Sequence, residues 1–245
     1  MKKITAAQAF SRAWETFKKN PLTHIAIFLL TFLLIYFFVN IILPEPVNRD
    51  KYGRHGLQSY FLIFLLVYFV QLLVAVFLNG YALDVVRNQY NGVGEVFSKY
   101  IQGTTVFYYF LFSLLLILIP LIITIPFVLV ALAIKTGPIV IFGLFLGLFV
   151  GIYFSIRLMF VFFLVLDRHS VANAIKVSWK KTEAYVGEII LMILFAVLAL
   201  FFGLLALIVG ALIAIPVIYF AQAVFYNEAV SEPADQTPAT EALEQ

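Results

Sequence analysis

FSIRLMFVFFLVLDRHSVANAIKVSWKK, residues 154–181, places Arg157 inside a lipid-soluble run, ten residues before Asp167 and just upstream of a cationic amphipathic segment. Ten helical residues span roughly 15 Å. If Asp167 marks the membrane boundary, the Arg157 backbone sits near mid-bilayer, where an arginine costs about 2.5–3.5 kcal/mol on insertion scales. No Asp or Glu falls within the long apolar runs to pair with it; the polar candidates are Gln71, Asn79 and Gln222, with tyrosines such as Tyr153 and Tyr219. Two uses fit the position. In one, Arg157 snorkels to the headgroups or ties helix ends through carbonyls and Asp84. In the other, its planar fork holds the phosphate of a lipid headgroup or an anionic substrate, with Gln71, Asn79 and Gln222 lining the same polar site.

Other chemistry is sparse. His24, His55 and His169 lie far apart in the chain, whereas a zinc or haem site needs ligands gathered at suitable spacing. Each therefore reads as an interfacial residue, and no metal or cofactor is expected. The chain has no cysteine, which removes disulfides, zinc thiolates and cysteine nucleophiles. No nucleophile elbow, zinc-binding helix motif, P-loop or dinucleotide glycine pattern occurs. Ion-coupled pumps usually carry carboxylates within the bilayer, which this pattern lacks. No catalytic residue can be assigned, and a non-enzymatic protein is the expectation.

The elements that must position these residues are membrane helices. Of 245 residues, 64% are hydrophobic and 12% charged, against roughly 45–50% and about 25% in soluble domains. Thr104 to Ile134 is an uninterrupted uncharged run of 31 residues, a helix of roughly 46 Å, longer than the roughly 30 Å hydrocarbon core. Barrel strands alternate apolar and polar residues and these runs do not, so the expected fold is all-α. Six spans are expected, at about 22–43, 59–82, 104–134, 138–166, 189–208 and 211–229, within one membrane domain covering 1–230. The first reads as a retained span, being too long for a signal h-region. Residues 189–227 suit two spans, turning near Gly210 before Pro216. Pro120 and Pro126 should kink or break the third span. Gly143, Gly147 and Gly151 form a stripe that lets a neighbouring helix approach closely.

Lys and Arg divide unequally over these spans. Lys2, Lys3, Arg12, Lys18, Lys19, Arg87, Lys99, Arg168, Lys176, Lys180 and Lys181 fall on one side, against Arg49, Lys51, Arg54 and Lys135 on the other. The positive-inside rule then places both termini in the cytoplasm. The tail, 231–245, carries four acids and no base, and reads as disordered. Nucleic-acid binding has no supporting motif.

Three amphipathic segments precede the span pairs. Phe10, Ala13, Trp14 and Phe17 share one face of the first; Val93, Val96, Phe97, Tyr100 and Ile101 one face of the second; Val171, Ala174, Ile175, Ser178 and Trp179 one face of the third. They read as interfacial helices, apolar face toward lipid. Trp14, Lys18 and Lys19 in the first, and Lys176, Trp179, Lys180 and Lys181 in the third, would anchor them to anionic phospholipid. AFSRAW (9–14), VFSKYI (96–101) and AIKVSW (174–179) align, so a unit of surface helix plus hairpin used three times is one account; chance likeness of amphipathic helices is the other. Internal repeats accompany many transport folds, leaving two function classes: a membrane organiser, alone or with a protein partner or second copy, and a transporter or flippase for a lipid or small amphiphile.

The AFSRAW opening, the proline-bearing third span and RLMFVFFLVLDRHSVANAIKVSW carry a resemblance over residues 5–229. The chain resembles uncharacterised bacterial polytopic proteins related to the membrane domain of glycerophosphoryl diester phosphodiesterases. The resemblance implies a bacterial inner-membrane location and an association with phospholipid metabolism. No soluble stretch matches the phosphodiesterase barrel of the fused relatives, so no catalytic residue carries over.

Overall fold

The computed structural model describes residues 4–42, 53–134, 137–206 and 209–230. The acidic tail and the positions of Arg49, Lys51 and Lys135 lie outside them. Ten helices are described: α1 Ala6–Lys19, α2 Pro21–Ile42, α3 Gly53–Val86, α4 Val93–Tyr100, α5 Gly103–Ile134, α6 Gly137–Arg157, α7 Val161–Leu166, α8 Val171–Glu183, α9 Val186–Leu205 and α10 Val209–Ala229. Six of them, α2, α3, α5, α6, α9 and α10, are long and apolar enough to cross a membrane. The protein is an all-α, multi-pass membrane protein.

Local sequence accounts for the boundaries. Thr5 and Gln8 form a reciprocal capping box at the start of α1, satisfying backbone donors that the first turn leaves open. Asn20 ends α1, and Pro21 opens α2 at the first helical position, where its missing N–H is no loss. α3 and α7 end alike. Asn88 and Arg168 adopt left-handed φ of 54° and 68°, and Gln89 N–H donates to Asp84 C=O at 2.8 Å as His169 N–H does to Leu164 C=O at 3.0 Å. These bonds satisfy terminal carbonyls.

Two boundaries differ from expectation. The 189–227 run divides into two helices, but α9 ends at Leu205 and α10 starts at Val209, so Gly210 lies inside α10. Its backbone packs on Gly203: a Cβ on Gly203 would stand 2.8 Å from the Ala211 nitrogen. The expected 138–166 span is also interrupted. α6 stops at Arg157 and a turn at 158–160 leads into α7. Val161 N–H donates to Leu158 C=O instead of Arg157 C=O, and the Arg157 carbonyl accepts from Ser178 Oγ at 2.9 Å and Thr182 Oγ1 at 3.1 Å. A buried carbonyl freed by a helix break needs such donors. Replacing both, Ser178→Ala with Thr182→Val, should cost about 1–3 kcal/mol, read as a lower melting temperature in detergent. An unchanged melt would mean that the hydroxyls do not hold the turn. α5, by contrast, is continuous through Pro120 and Pro126.

The three surface helices share a burial register. In the alignment of AFSRAW, VFSKYI and AIKVSW the first residues, Ala9, Val96 and Ala174, and the fifth, Ala13, Tyr100 and Ser178, are all buried. Each surface helix docks on the helix closing another hairpin: α4 on α3, α8 on α7, and α1 on α10. The chain thereby closes on itself. The faces read as lipid-directed are thus partly covered by protein; in α1, Ala6, Ala9, Ala13 and Phe17 are buried, whereas Trp14 stays 43% exposed. The densest core, around Tyr81, Phe160, Phe220 and Phe225, lies beneath the surface-helix end, where α3, α7 and α10 converge.

The glycine stripe packs as expected. Gly143 lies against Phe127 of α5, Gly147 against Thr124 and the Pro120 carbonyl, and Gly151 against the Pro120 ring.

Candidate functional site

At the surface-helix end, polar side chains from the ends of three helices, α3, α7 and α10, meet. Arg87, just beyond α3, donates from Nη1 and Nη2 to Asp167 Oδ1 and Oδ2 at 2.7 and 2.8 Å and from Nε to Asn227 Oδ1 at 3.0 Å. Tyr226 Oη donates to Asp167 Oδ2 at 2.6 Å. Arg87 and Asp167 each immediately precede the left-handed residue that ends their helix, so the same capping device aims both side chains at the junction. Burial opposes the Arg87 charge, but the Asp167 carboxylate outweighs it and the pKa is raised. The Arg87 guanidinium therefore stays charged at any physiological pH.

Flanking contacts repeat the theme. Arg12 of α1 pairs with Glu228 of α10, and Lys99 of α4 with the buried Asp84 of α3. Tyr100 Oη donates to Asp84 Oδ1 at 2.7 Å; burial and then this bond push its pKa upward, so the phenol remains the donor. Arg168 reaches the Gln102 side-chain oxygen and the Lys99 carbonyl.

Beside the Arg87–Asp167 pair opens a cleft of about 1160 Å³. Arg87, Asp167 and Tyr226 lie at one wall, Lys180, Lys181 and Val177 of α8 at another, with Tyr185 and His169 between. Charged groups of both signs, Arg87, Lys180 and Lys181 with Asp167 and Glu228, stand next to Leu164, Val177 and Tyr185. Among the described residues no group of three or more His, Cys, Asp or Glu is placed to hold a metal.

The polar residues singled out from the sequence are distributed differently. Arg157 is 6% exposed, its guanidinium carbon lies 4.6 Å from the Trp179 ring centroid, and its Nε has no hydrogen-bond partner. Gln71 is exposed on α3, Gln222 half-buried on α10, and Asn79 donates to the Ala75 carbonyl of its own helix at 2.9 Å. No hydrogen bond joins any of the three to Arg157 among the described residues. Of the surface-helix cations, Lys18 pairs with Glu15 at 2.8 Å, Lys19 and Lys176 are exposed, and Lys180 and Lys181 line the cleft. His24, near the start of α2, is buried in protein and hydrogen-bonded to Tyr81 Oη, as a buried imidazole requires. His169 meets the Asn173 side chain at 3.0 Å.

Arg87, Asp167 and Tyr226 were not singled out from the sequence. The available signal was a charge at the end of a span followed at once by a polar residue able to take positive φ. Comparison of the chain with protein-family models, curated proteins and solved structures finds no match to any of them.

Proposed function

We propose that the protein is a non-enzymatic organiser of the bacterial cytoplasmic membrane that holds anionic phospholipid at its surface-helix end, with both termini cytoplasmic. The observation that carries this reading is the cleft, whose α8 wall supplies Lys180 and Lys181 beside apolar and tyrosine surface. The uneven distribution of Lys and Arg supports the orientation, and the resemblance to phosphodiesterase membrane domains supports phospholipid as the ligand class. A second reading, a transporter or flippase for a lipid or small amphiphile with Arg157 as its phosphate ligand, is favoured by the unpaired Arg157 Nε. The aromatic packing beneath the junction favours the first.

Native mass spectrometry on gently purified protein separates them. Lys176→Gln, Lys180→Gln and Lys181→Gln together should lower phosphatidylglycerol retention at least tenfold, since each basic residue near an anionic surface contributes about 1 kcal/mol. Retention unchanged in the triple variant but lost in a folded Arg157→Gln would replace the first reading by the second.

A further inference from the structure

The threefold arrangement makes its own irregularity informative. Two of the surface helices each cover a pair of bundle helices: α1 lies on α9 and α10, and α8 on α6 and α7. Over α9 and α10, Phe10 of α1 packs edge-on against Phe195 at 5.8 Å. Over α6, Trp179 of α8 covers Tyr153 and Phe154 at 6.0 and 5.6 Å, and the glycine stripe brings α6 against α5. Phe97 of α4 corresponds to Phe10 in the aligned segments, yet it is 55% exposed. It borders an open groove of about 460 Å³ between α2 and α3, lined by Ile27, Leu34, Phe38, Leu73 and Phe77.

This groove has the chemistry and length of a hydrocarbon site. Its lone hydroxyl, on Thr31, donates to the Ile27 carbonyl of its own helix at 2.6 Å, so it offers no free donor to water. Along α2 it runs from Ile27 to Phe38, eleven residue steps or roughly 17 Å, about half of the roughly 30 Å hydrocarbon core. Both walls belong to membrane-crossing helices, so hydrocarbon is what faces it. At the surface-helix end the groove is bordered by Ile101; Arg168 grips the residue two before it, Lys99, through its carbonyl at 3.2 Å and the residue after it, Gln102, through its side chain. Both acceptors are neutral. Lys99 is tied to Asp84, whereas the Arg168 guanidinium is exposed and meets only these neutral oxygens among the contacts of the described residues.

We propose that the groove between α2 and α3 seats one acyl chain of an anionic phospholipid, whose phosphate rests on Arg168. The site is separate from the α8 cleft, and Lys180 and Lys181 take no part in it. A guanidinium already fixed by two carbonyl oxygens keeps N–H groups for phosphate, and its left-handed backbone holds it beside α4.

The test titrates the full chain in mild detergent with phosphatidylglycerol and with diacylglycerol of the same acyl chains, read by native mass spectrometry with melting temperature as the folding check. Wild type should retain phosphatidylglycerol about tenfold better than diacylglycerol, the value of one charge-assisted contact, and Arg168→Gln should abolish that preference. Leu73→Trp fills the groove from α3 and should lower retention of both lipids at least tenfold. Leu34→Trp, at a position 58% exposed on the opposite wall, serves if Leu73→Trp does not fold. Retention untouched by a folded tryptophan variant, or a phosphate preference that survives Arg168→Gln, would overturn the proposal. Each site is read with the other removed, Arg168→Gln and the tryptophan variants in the Lys176→Gln, Lys180→Gln, Lys181→Gln background and the α8 lysine substitutions in the Arg168→Gln background, so the two sites fail independently.

Discussion

Asp167→Ala is expected to lower the stability of the folded protein by about 3–5 kcal/mol, the cost of removing one partner of an enclosed ion pair and stranding the other. Arg87 would lose both bonds to the carboxylate while keeping only Asn227, and Tyr226 would lose its acceptor. The side chains of the pair are 20% and 24% exposed, so water gives partial relief and the lower end of that range is the better expectation. Combining Asp167→Ala with Arg87→Leu removes the stranded charge, and the double variant should be more stable than Asp167→Ala alone. Reversible unfolding in mixed micelles measures the two single variants, Asp167→Ala and Arg87→Leu, and the double variant. Additive losses from the two substitutions would mean that the pair does not act as a unit.

The junction was hard to read from sequence for a physical reason. Arg87 and Asp167 are 80 residues apart, and Arg87 and Asn227 are 140 apart. Each residue alone looks like an ordinary charge or amide at a membrane boundary. The six spans were legible because a membrane helix must be apolar over its whole length, a constraint local to each run. The surface-helix register was legible because Ala9, Val96 and Ala174 repeat an amphipathic period, although which face met protein and which met lipid depended on the neighbours. Arg157 shows the limit of counting along a helix. Its assumed depth presupposed a continuous span to Asp167, whereas the break at 158–160 is held open by hydroxyls of α8, twenty or more residues later. Nothing within the run from Gly137 to Leu166 announces that break, because every residue from Leu158 to Leu166 is apolar and suits a buried turn as well as a span. The open groove was equally hidden: Phe97 looks like Phe10 in sequence, and only the packing of the hairpins beneath them sets them apart.

The glycine stripe of α6 should divide sharply under substitution, although its three members look alike in sequence. Gly147→Leu should open the α5–α6 hairpin. A Cβ there would fall within contact distance of Thr124 Oγ1 and 3.2 Å from the Pro120 carbonyl oxygen, which is backbone and cannot rotate away. Thr124 is itself held, donating to the Pro120 carbonyl at 2.8 Å, so turning it aside breaks that bond. Overpacking of this kind typically costs about 1–3 kcal/mol, and a leucine brings atoms beyond Cβ, which places Gly147→Leu at or above the top of that range. Gly151→Ala sets only an ordinary contact of 3.5 Å with the Pro120 ring and should change stability by less than about 0.5 kcal/mol. The contrast matters because α5 and α6 pack far more extensively on each other than on the remainder of the bundle, so little else would hold the hairpin closed. Thermal melting of the two variants in the same detergent reads the difference. Equal losses at both positions would contradict the close packing of Gly147 on Thr124 and Pro120, and would make the stripe a matter of glycine content rather than of where each glycine sits.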